Sequence, residues 1–491
     1  MKLSLLLCLH FLFIHSANFL FIHSAIIGQQ CKCEEEFQFL KGYMEQNHPG
    51  LNAKGMNTSS YKKATQALAA EIRLDNPGDD CILYLQEYFT LLKDNHIYIN
   101  PDVPLYKRYI VSSQASLDSL YQSKAFKATE KRKVDSLALV HHLVKKTDKD
   151  IEGWYMDSQG NLIAFVKSPN EKWAFKGIIV SSKTKLFPPG TVKYQLRPRS
   201  NSRLWAMVTF PDHQKLYTTV SLVADDFSYI GLSRINAERQ ADVSDEQTSH
   251  FEFSSLDSQT NYLRISSFDK TLTRTLDSFY RSIDSLIQSK PFLIIDIRNN
   301  GGGSDASFFG LLDHLYTKPI HGDIAEIWVS PENIKRYEEA LAAKKANINV
   351  YGQKAIEYDE AFIRRLKAAR PFTFIPLVEG TPDSITAKKI QKNPAKIALL
   401  MNKGCASSAE MFIYYARQSG KVITMGESSK GMMGFGNILN TKTPCYQYTF
   451  GATTTKYKNF SKYEYVGMAP DIKLFADQDW IKEAMSILKK E

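Results

Sequence analysis

The sequence lacks the features that mark several large classes of protein. It has no arginine-rich block and no RNA- or DNA-binding motif, although 62 Lys and Arg residues face 52 Asp and Glu residues and the net charge is +10. Because the lysines are scattered, this charge is typical of a solvated surface, and we expect no nucleic-acid partner. No phosphate-binding loop and no His/Cys partner pair at metal-ligand spacing is present. We therefore expect no metal and no cofactor.

Long apolar runs are absent except at the N-terminus. Lys2 precedes an apolar run over residues 3–13, and the segment 11–17 is repeated at 19–25. This pattern predicts an export signal within residues 1–30. No small-x-small cleavage site follows the run, so a retained membrane anchor is the alternative. We expect an exported protein, periplasmic or extracellular, with membrane association through the N-terminus as that alternative.

Cysteine is scarce, with six residues in 491. Export would permit disulfides between the five that follow the signal. We predict that Cys405 pairs with Cys445, and that Cys81 pairs with Cys31 or Cys33. Two buried thiols at Cys405 and Cys445 are the alternative, and sequence alone does not fix the connectivity. A zinc site at Cys31-x-Cys33 is disfavoured, because no partner pair sits at ligand spacing.

The chain is long enough for several domains. Residues 31–150 show helical apolar spacing, with helices predicted over 34–45, 60–72, 80–92 and 127–144. Residues 151–235 contain seven short strand patterns separated by turns, which predicts an antiparallel β-rich domain, a sandwich or a barrel. Residues 253–491 alternate strands with helices, which predicts an α/β core with a mostly parallel sheet. Residues 330–393 within it are charged and mostly helical, a candidate lid.

A serine at a strand-to-helix turn is the strongest chemical signal in the sequence. The apolar run 397–401 is followed by Gly404-Cys-Ala-Ser407-Ser-Ala-Glu410 and then a helical pattern to about residue 418. The free N–H groups and the dipole of a helix N-terminus stabilise negative charge there. Such a position suits the nucleophile of an acyl-transfer enzyme. An ordinary helix-capping serine is the alternative.

Two further loops could complete such a site. The apolar strand 292–297 leads into three glycines, which let the backbone approach a ligand closely. The N–H groups of Gly302 and Ser408 are candidates for an oxyanion hole, and a permissive turn is the alternative. His96, at a predicted helix-to-strand junction, is the candidate base, and a structural histidine is the alternative.

Five short motifs together carry a resemblance to a family. In chain order they are Asp94-Asn95-His96, Asp296-Ile-Arg298-Asn-Asn300-Gly-Gly302-Gly303, Ser407-Ser-Ala-Glu410, Gly426-Glu427-Ser-Ser-Lys430-Gly431 and Glu464-Tyr-Val-Gly467-Met-Ala-Pro470-Asp471. This set resembles the tail-specific (C-terminal processing) serine peptidases and their tricorn protease relatives. The resemblance implies a ClpP/crotonase-like α/β core and a serine endopeptidase that acts on proteins or peptides. It covers the C-terminal half well and the N-terminal helices thinly.

The resemblance also implies residue roles. Ser407 is the expected nucleophile, His96 the general base and Glu464 its supporting acid. Gly302 and Ser408 are the expected oxyanion donors. Asn95 and Glu427 are assigned supporting roles.

The family has a second branch that activates its serine with a lysine. Met432 occupies the position of that lysine here, and Lys430 falls inside the Gly-Glu element, so the branch with a histidine and a glutamate fits better. The serine that links the histidine to the glutamate in the tricorn branch cannot be placed. No PDZ segment is recognisable, and the β-rich region stands in its place.

Two other functions remain open. A non-catalytic binding protein is one, because the family's fold also occurs in a retinoid-carrying protein. An esterase of another class is the other, although the sequence lacks the G-x-S-x-G element of the α/β-hydrolases. The sequence gives no indication of the oligomeric state.

Overall fold

The computed structural model describes residues 31–53, 58–78, 80–101, 113–147, 149–157, 159–200, 203–221, 227, 230–235, 249–378, 384–387, 389–475 and 478–490. The predicted export signal, and residues 379–383 and 388 of the predicted lid, lie outside the described residues. Within the described ranges, no helix has both the length and the apolar character needed to cross a membrane.

The N-terminal region is helical, as predicted. Its elements are α1 (Cys33–Asn47), α2 (Pro49–Asn52), α3 (Ser59–Asp75), α4 (Cys81–Thr90), β1 (Tyr98–Asn100), α5 (Gln114–Gln122), α6 (Lys124–Ala128) and α7 (Ser136–Leu143). Buried side chains of α1, α3 and α4 share one core with Phe450 from the C-terminal region. The N-terminal region is therefore packed against the part of the chain that carries the other motifs.

The helix predicted over residues 127–144 is wrong. It is split into α6 and α7 because the chain between them joins the edge of a sheet. Arg132 N–H donates to the carbonyl of Gly190, and Lys131 forms an isolated bridge with Thr191. These sheet contacts override the local helical pattern between the two helices, and helix forms only on either side of them.

The seven strands predicted in the middle region are present. They are β2 (Gly153–Asp157), β3 (Leu162–Lys167), β4 (Phe175–Ser181), β5 (Val192–Ser200), β6 (Arg203–Thr209), β7 (Lys215–Ser221) and β8 (Leu232–Arg234). They form one antiparallel sheet in the order β7-β6-β5-β4-β3-β2-β8. The predicted sandwich or barrel is wrong: in the described residues the outer strands do not pair with each other. Leu117, Leu120 and Phe126 of α5 and α6 cover the sheet instead of a second sheet.

The C-terminal region contains both helices and strands. Its elements are β9 (Phe251–Ser255), β10 (Thr260–Ile265), α8 (Thr273–Gln288), β11 (Phe292–Asp296), α9 (Leu312–Leu315), β12 (Ala325–Val329), α10 (Pro331–Ala346), α11 (Ile348–Tyr351), α12 (Gln353–Ala368), β13 (Thr373–Pro376), β14 (Lys396–Met401), α13 (Ser408–Ala416), β15 (Val422–Gly426), β16 (Phe435–Lys442), β17 (Thr449–Tyr457), β18 (Ile472–Lys473) and α14 (Trp480–Leu488).

The expectation of a mostly parallel sheet is wrong for this region as a whole. A six-stranded sheet, in the order β18-β15-β14-β11-β10-β9, has parallel pairs except between β10 and β9. A second sheet joins β1, β17, β12 and β13, with β16 paired to β17, and all its pairs are antiparallel. Short loops such as that between β16 and β17 allow only antiparallel pairing. The ClpP/crotonase-like core is not confirmed.

The six-stranded sheet is covered on both faces. Leu293 and Ile295 of β11 pack on the side of α8 and α13, whereas Ile294 packs on the side of Trp480 and α14. This alternation follows from the two-residue period of a strand. Burial on both faces explains why β11 and β14 are continuous apolar runs.

Candidate active site

Ser407 lies where two parallel strands end. β11 and β14 are neighbours in the sheet, so the loops that follow them meet at one edge. Ser407, at φ 55° and ψ −120°, immediately precedes α13. Positive φ is unfavourable for a residue with a side chain, so the surrounding contacts must hold this conformation. Its N–H donates to Glu410 Oε2 at 3.1 Å, which is one such contact.

Gly302 closes one side of the serine turn. It has φ +90°, and a Cβ built on it would lie 2.5 Å from the carbonyl oxygen of Ala406 and 2.8 Å from Ser408 N. Only glycine fits this approach. The Gly302 N–H, however, donates to Asn300 Oδ1 at 2.9 Å. Of the two expected oxyanion donors, Ser408 N–H is the one with no acceptor among the described residues.

Ser408 is buried, and its hydroxyl interacts with Asp305. Burial raises the pKa of the neighbouring Asp305 to about 6, against a hydrogen bond from the Ser408 side chain. The two adjacent serines therefore have different environments. Ser408 contributes a buried hydroxyl that is bound to Asp305, and its backbone N–H at the start of α13.

Glu410 connects the serine turn to the segment 429–434. Its side chain is fully buried. Besides the Ser407 N–H, it accepts hydrogen bonds from Ser429 Oγ at 2.6 Å, Gly431 N at 2.8 Å and Met432 N at 2.8 Å. In the sequence, Glu410 served only to mark the end of the serine motif. Its neighbours in α13 are mostly apolar, which indicates that this glutamate is buried and that its carboxylate needs hydrogen-bond donors.

His96 reaches the same place from the N-terminal region. It lies between α4 and β1, and β1 is held in the second sheet by β17. Its neighbour Asn95 donates from Nδ2 to the carbonyl of Gly431 at 3.3 Å. The residue is 5% exposed, and Nδ1 of its ring has no hydrogen-bond partner. Among the described residues, no hydrogen bond joins the ring to the Ser407 hydroxyl.

Glu464 contacts the backbone beside His96. Its Oε1 accepts from Asn95 N at 2.7 Å, and its Oε2 accepts from Met433 N at 2.9 Å and Gly434 N at 2.6 Å. Burial raises the pKa of Glu464 to about 7 against these three hydrogen bonds, and the negative charge of Asp94 raises it further. The glutamate thus joins the loop of His96 to the segment 429–434.

Asp94 is the carboxylate that faces the imidazole. Its Oδ1 lies 3.9 Å from His96 Nδ1, and it is buried. It accepts hydrogen bonds from His96 N at 2.8 Å, His48 Nε2 at 3.0 Å and Thr453 Oγ1 at 2.6 Å. Burial acts to raise the pKa of Asp94, but the hydrogen bond and charge of His48, with His96 and Thr453, hold it below its ordinary value.

His48 received no role from the sequence. Its Nδ1 accepts the N–H groups of Gly50 at 3.1 Å and Leu51 at 3.4 Å, so its ring proton is on Nε2, which donates to Asp94. The only available signal was its place in front of Pro49-Gly50, at the start of a helix.

The imidazole of His96 is suited to accept a proton. Burial lowers its pKa below the ordinary value, the charges of Asp94 and Glu410 oppose that shift, and Lys430 adds to it. A neutral imidazole at neutral pH is the form that a general base needs.

Residues 259–474 match the family model described as peptidase family S41. This region is an S41 peptidase domain. The resemblance to the tail-specific and tricorn-like peptidases is confirmed over it, and the match supports the expectation of a peptidase. A search of curated proteins gives no match.

Several solved structures are similar to the chain. Mature CPAF complexed with lactacystin has 13% identity and a TM-score of 0.46, covering 93% of this chain and 97% of that chain. A putative peptidase from Parabacteroides merdae has 11% identity and a TM-score of 0.40, covering 94% and 98%. The photosystem II D1 C-terminal processing protease has 11% identity and a TM-score of 0.36, covering 94% and 97%. At these TM-scores the likenesses carry no argument about activity.

Among the described residues, Lys430 and Glu427 make no hydrogen bond to Ser407 or to the ring of His96. Lys430 has an exposed side chain, and its N–H donates to the carbonyl of Cys405 at 2.9 Å. Glu427 lines a polar cavity of about 340 Å³ with Asp296, Arg298 and Trp480, and contacts neither Ser407 nor His96.

The predicted disulfide between Cys405 and Cys445 is wrong. The bridges are Cys31–Cys445 and Cys33–Cys81, and Cys405 is a buried free thiol. The Cys405 Sγ donates to the carbonyl of Ile297 at 3.1 Å, inside the core beneath the S41 site. Cys445 follows β16 and lies against α1, where Glu36 accepts its N–H. The alternative of two buried thiols is therefore correct for Cys405 and wrong for Cys445, whereas the predicted pairing of Cys81 with Cys31 or Cys33 is confirmed as Cys33–Cys81.

Proposed function

We propose that this chain is an exported serine endopeptidase that cleaves peptide bonds through an acyl-enzyme. Ser407 is the nucleophile, His96 the general base and Glu464 the acid that positions the base. The observation that carries the proposal is the strained backbone of Ser407 at the N-terminus of α13, directly against Gly302. A helix-capping serine needs no such conformation, whereas a nucleophile at the tip of a sharp turn does.

The chemistry follows from the groups around this turn. His96 accepts the proton of the Ser407 hydroxyl as the oxygen attacks the substrate carbonyl. The developing negative charge lies at the start of α13, next to the free N–H of Ser408. The N–H of Gly302 becomes a second donor when it leaves Asn300. His96 then returns the proton to the leaving amine, and water hydrolyses the acyl-enzyme.

Two carboxylates assist the base, and each has a different role. Glu464 fixes the backbone of Asn95 and so the place of His96, and among the described residues no hydrogen bond joins it to the ring. Asp94, 3.9 Å from Nδ1, stabilises the imidazolium that forms during attack. This division replaces the simple pairing of His96 with Glu464 that the resemblance implies.

Neither Lys430 nor Met432 is suited to act as the base of a serine–lysine mechanism. The side chain of Lys430 is exposed, whereas a lysine that acts as a base must have its pKa lowered by burial or by neighbouring cations. Met432 carries a thioether, which cannot accept a proton at neutral pH.

Export is supported by the cysteines. Both disulfides join the beginning of the described chain to other elements, and such bonds persist in oxidising compartments. The N-terminal apolar run supports the same inference. Substrates of an S41 peptidase are proteins or peptides, and we propose the same class here.

The choice of base is tested with His96→Ala and Lys430→Ala as a matched pair. Hydrolysis of an unfolded protein substrate and of fluorogenic peptides is measured at neutral pH. His96→Ala is expected to reduce kcat/KM by a factor on the order of a thousand or more, as loss of a triad member does. Lys430→Ala, which removes an exposed side chain, is expected to stay within about threefold of the parent enzyme.

The opposite pattern would contradict the proposal. An active His96→Ala with an inactive Lys430→Ala would place the chain in the lysine branch. Absence of hydrolysis by the parent protein over a broad peptide library would favour the non-catalytic binding protein.

A further inference from the structure

Three side chains near the proposed base form a compact cluster. Asp94, His96 and Glu464 each offer a ligand atom, and these atoms lie within 4.8 Å of one another. Asp94 is 2% exposed and His96 is 5% exposed. Nδ1 of His96 is buried, has no partner and lies 3.9 Å from Asp94 Oδ1. An unpaired imidazole nitrogen beside two carboxylates is an unsatisfied ligand set.

Each ligand keeps a free lone pair and is held by other groups. Asp94 Oδ1 accepts the His96 N–H, and Glu464 Oε1 accepts the Asn95 N–H, which leaves one lone pair on each oxygen. Asp94 is further held by His48 and Thr453, and Glu464 by the backbone of the segment 429–434. Such partners orient ligands in metal sites.

The charges around the cluster also favour a cation. Among the described residues, neither Asp94 nor Glu464 forms an ion pair with lysine or arginine, and the side chain of Lys430 is exposed. In the described part of the chain, two carboxyl groups therefore lie close together without a lysine or arginine side chain bound to either, and a dication would supply the missing positive charge.

We propose that Zn²⁺ binds Asp94, His96 and Glu464 and inhibits the enzyme. One imidazole nitrogen and two carboxylate oxygens are a ligand set typical of zinc. Ligand atoms about 2.0–2.1 Å from a zinc ion lie closer to one another than the three atoms do here. The three side chains must therefore move towards the ion when it binds. Glu464 is far in the sequence from Asp94 and His96, so spacing rules could not detect the complete set.

Inhibition follows from the chemistry of the ring. A metal on Nδ1 leaves the imidazole proton on Nε2, so the ring has no free lone pair for the proton of Ser407. Metal binding itself is independent of the proposed function. Its inhibitory effect rests on the proposed role of His96 as base.

Zinc binding is measured by calorimetry on the full chain with Ser407→Ala, after removal of metals with a chelator. One equivalent of Zn²⁺ is expected to bind, and more tightly than Mg²⁺, which disfavours nitrogen ligands. In the same background, Asp94→Asn and Glu464→Gln are each expected to weaken binding by about 10- to 100-fold. His142→Ala, which removes another His–Glu pair, is the matched control and leaves binding unchanged. The thermal unfolding of each variant shows that it is folded.

A second measurement links the site to the enzyme. Zn²⁺ is expected to slow fluorophosphonate labelling of the parent protein, and EDTA to restore it. No zinc binding, or binding that survives both Asp94→Asn and Glu464→Gln, would overturn the proposal. Binding that needs both carboxylates but leaves labelling unchanged would support the metal site and contradict His96 as the base.

Discussion

At the scale of single residues, the site depends on a few unusual backbone positions. Ser407 and Gly302 both have positive φ, and they approach each other within van der Waals contact. Asn300 joins them, because its carbonyl accepts the Ala406 N–H at 3.0 Å and its side chain accepts the Gly302 N–H. One of the two donors of the proposed oxyanion hole is therefore bound within the protein, and Asn300 must release Gly302 before both donors can act.

The pH dependence of catalysis belongs to the same scale. Because burial lowers the pKa of His96, its neutral form persists as the pH falls below about 6.5, the ordinary histidine value. We expect the acidic limb of kcat/KM, measured with EDTA present, to lie below that value. Asp94→Asn removes a charge that favours the imidazolium, so the limb should move to still lower pH while kcat falls.

Glu464 could produce a limb of its own, because its pKa is about 7. The variant Glu464→Gln distinguishes the contribution of Glu464 to the pH profile from that of His96. A limb that survives this substitution belongs to His96, whose other charged neighbours are Asp94, Glu410 and Lys430. A limb that disappears with Glu464, or one that moves upward in Asp94→Asn, would contradict the assignment.

At the scale of elements, the segment 429–434 holds the two halves of the site together. It is bonded to Glu410 on the serine side, and to Asn95 and Glu464 on the histidine side. A backbone segment between two loops can fix their spacing only while its own N–H groups remain paired. The distance between Ser407 and His96 is therefore set by this segment.

Glu410→Gln tests that role. The amide keeps one acceptor oxygen and turns an NH₂ group toward backbone N–H donors, each of which costs about 1–3 kcal/mol when left unpaired. We expect the free energy of unfolding to fall by roughly 2–5 kcal/mol in urea denaturation, with a large loss of activity. Glu427→Gln, at a partly exposed glutamate, should change it by less than about 0.5 kcal/mol. Equal stability of the two variants would contradict the role.

Elements with a strong local pattern were predictable from the sequence, and others were not. β11, β14 and α13 have apolar runs and a clear turn between them, and their predicted positions are confirmed. The break between α6 and α7 depends on pairing with residues around Gly190, which local spacing does not encode. β17 is rich in threonine on both faces, because it is buried between two regions, and no alternating pattern marks it.

At the scale of the whole molecule, the N-terminal region is attached to the region that carries Ser407, and it supplies His96 to the proposed active site. Its attachment includes the Cys31–Cys445 bridge, the acceptance of two N–H groups by Glu36, and a hydrogen bond from Trp328 to the carbonyl of Gln46. Sequence motifs identified Ser407 and His96 because each lies in a short local pattern. Asp94 and Glu410 lie in two of these motifs and His48 lies in none, but the partners of all three come from distant parts of the chain, so the sequence did not indicate what they contact.

The Cys31–Cys445 bridge provides a test at this scale. It spans 414 residues of sequence, and removal of a native disulfide typically costs about 2–5 kcal/mol. Cys31→Ser is expected to lower stability within that range and to reduce activity, because the region that carries His96 is less firmly held. Cys405→Ala should keep both bridges, as shown by peptide mapping without reductant. Recovery of a Cys405–Cys445 peptide would contradict the fold described here.

The most direct test of the central claim is the site of fluorophosphonate labelling. The parent protein, Ser407→Ala and Ser408→Ala are treated with the probe, and the labelled peptide is identified by mass spectrometry. The account predicts a single label on Ser407, no label in Ser407→Ala, and near-parent labelling in Ser408→Ala, whose hydroxyl is bound to Asp305. Labelling that persists in Ser407→Ala and is lost in Ser408→Ala would contradict it.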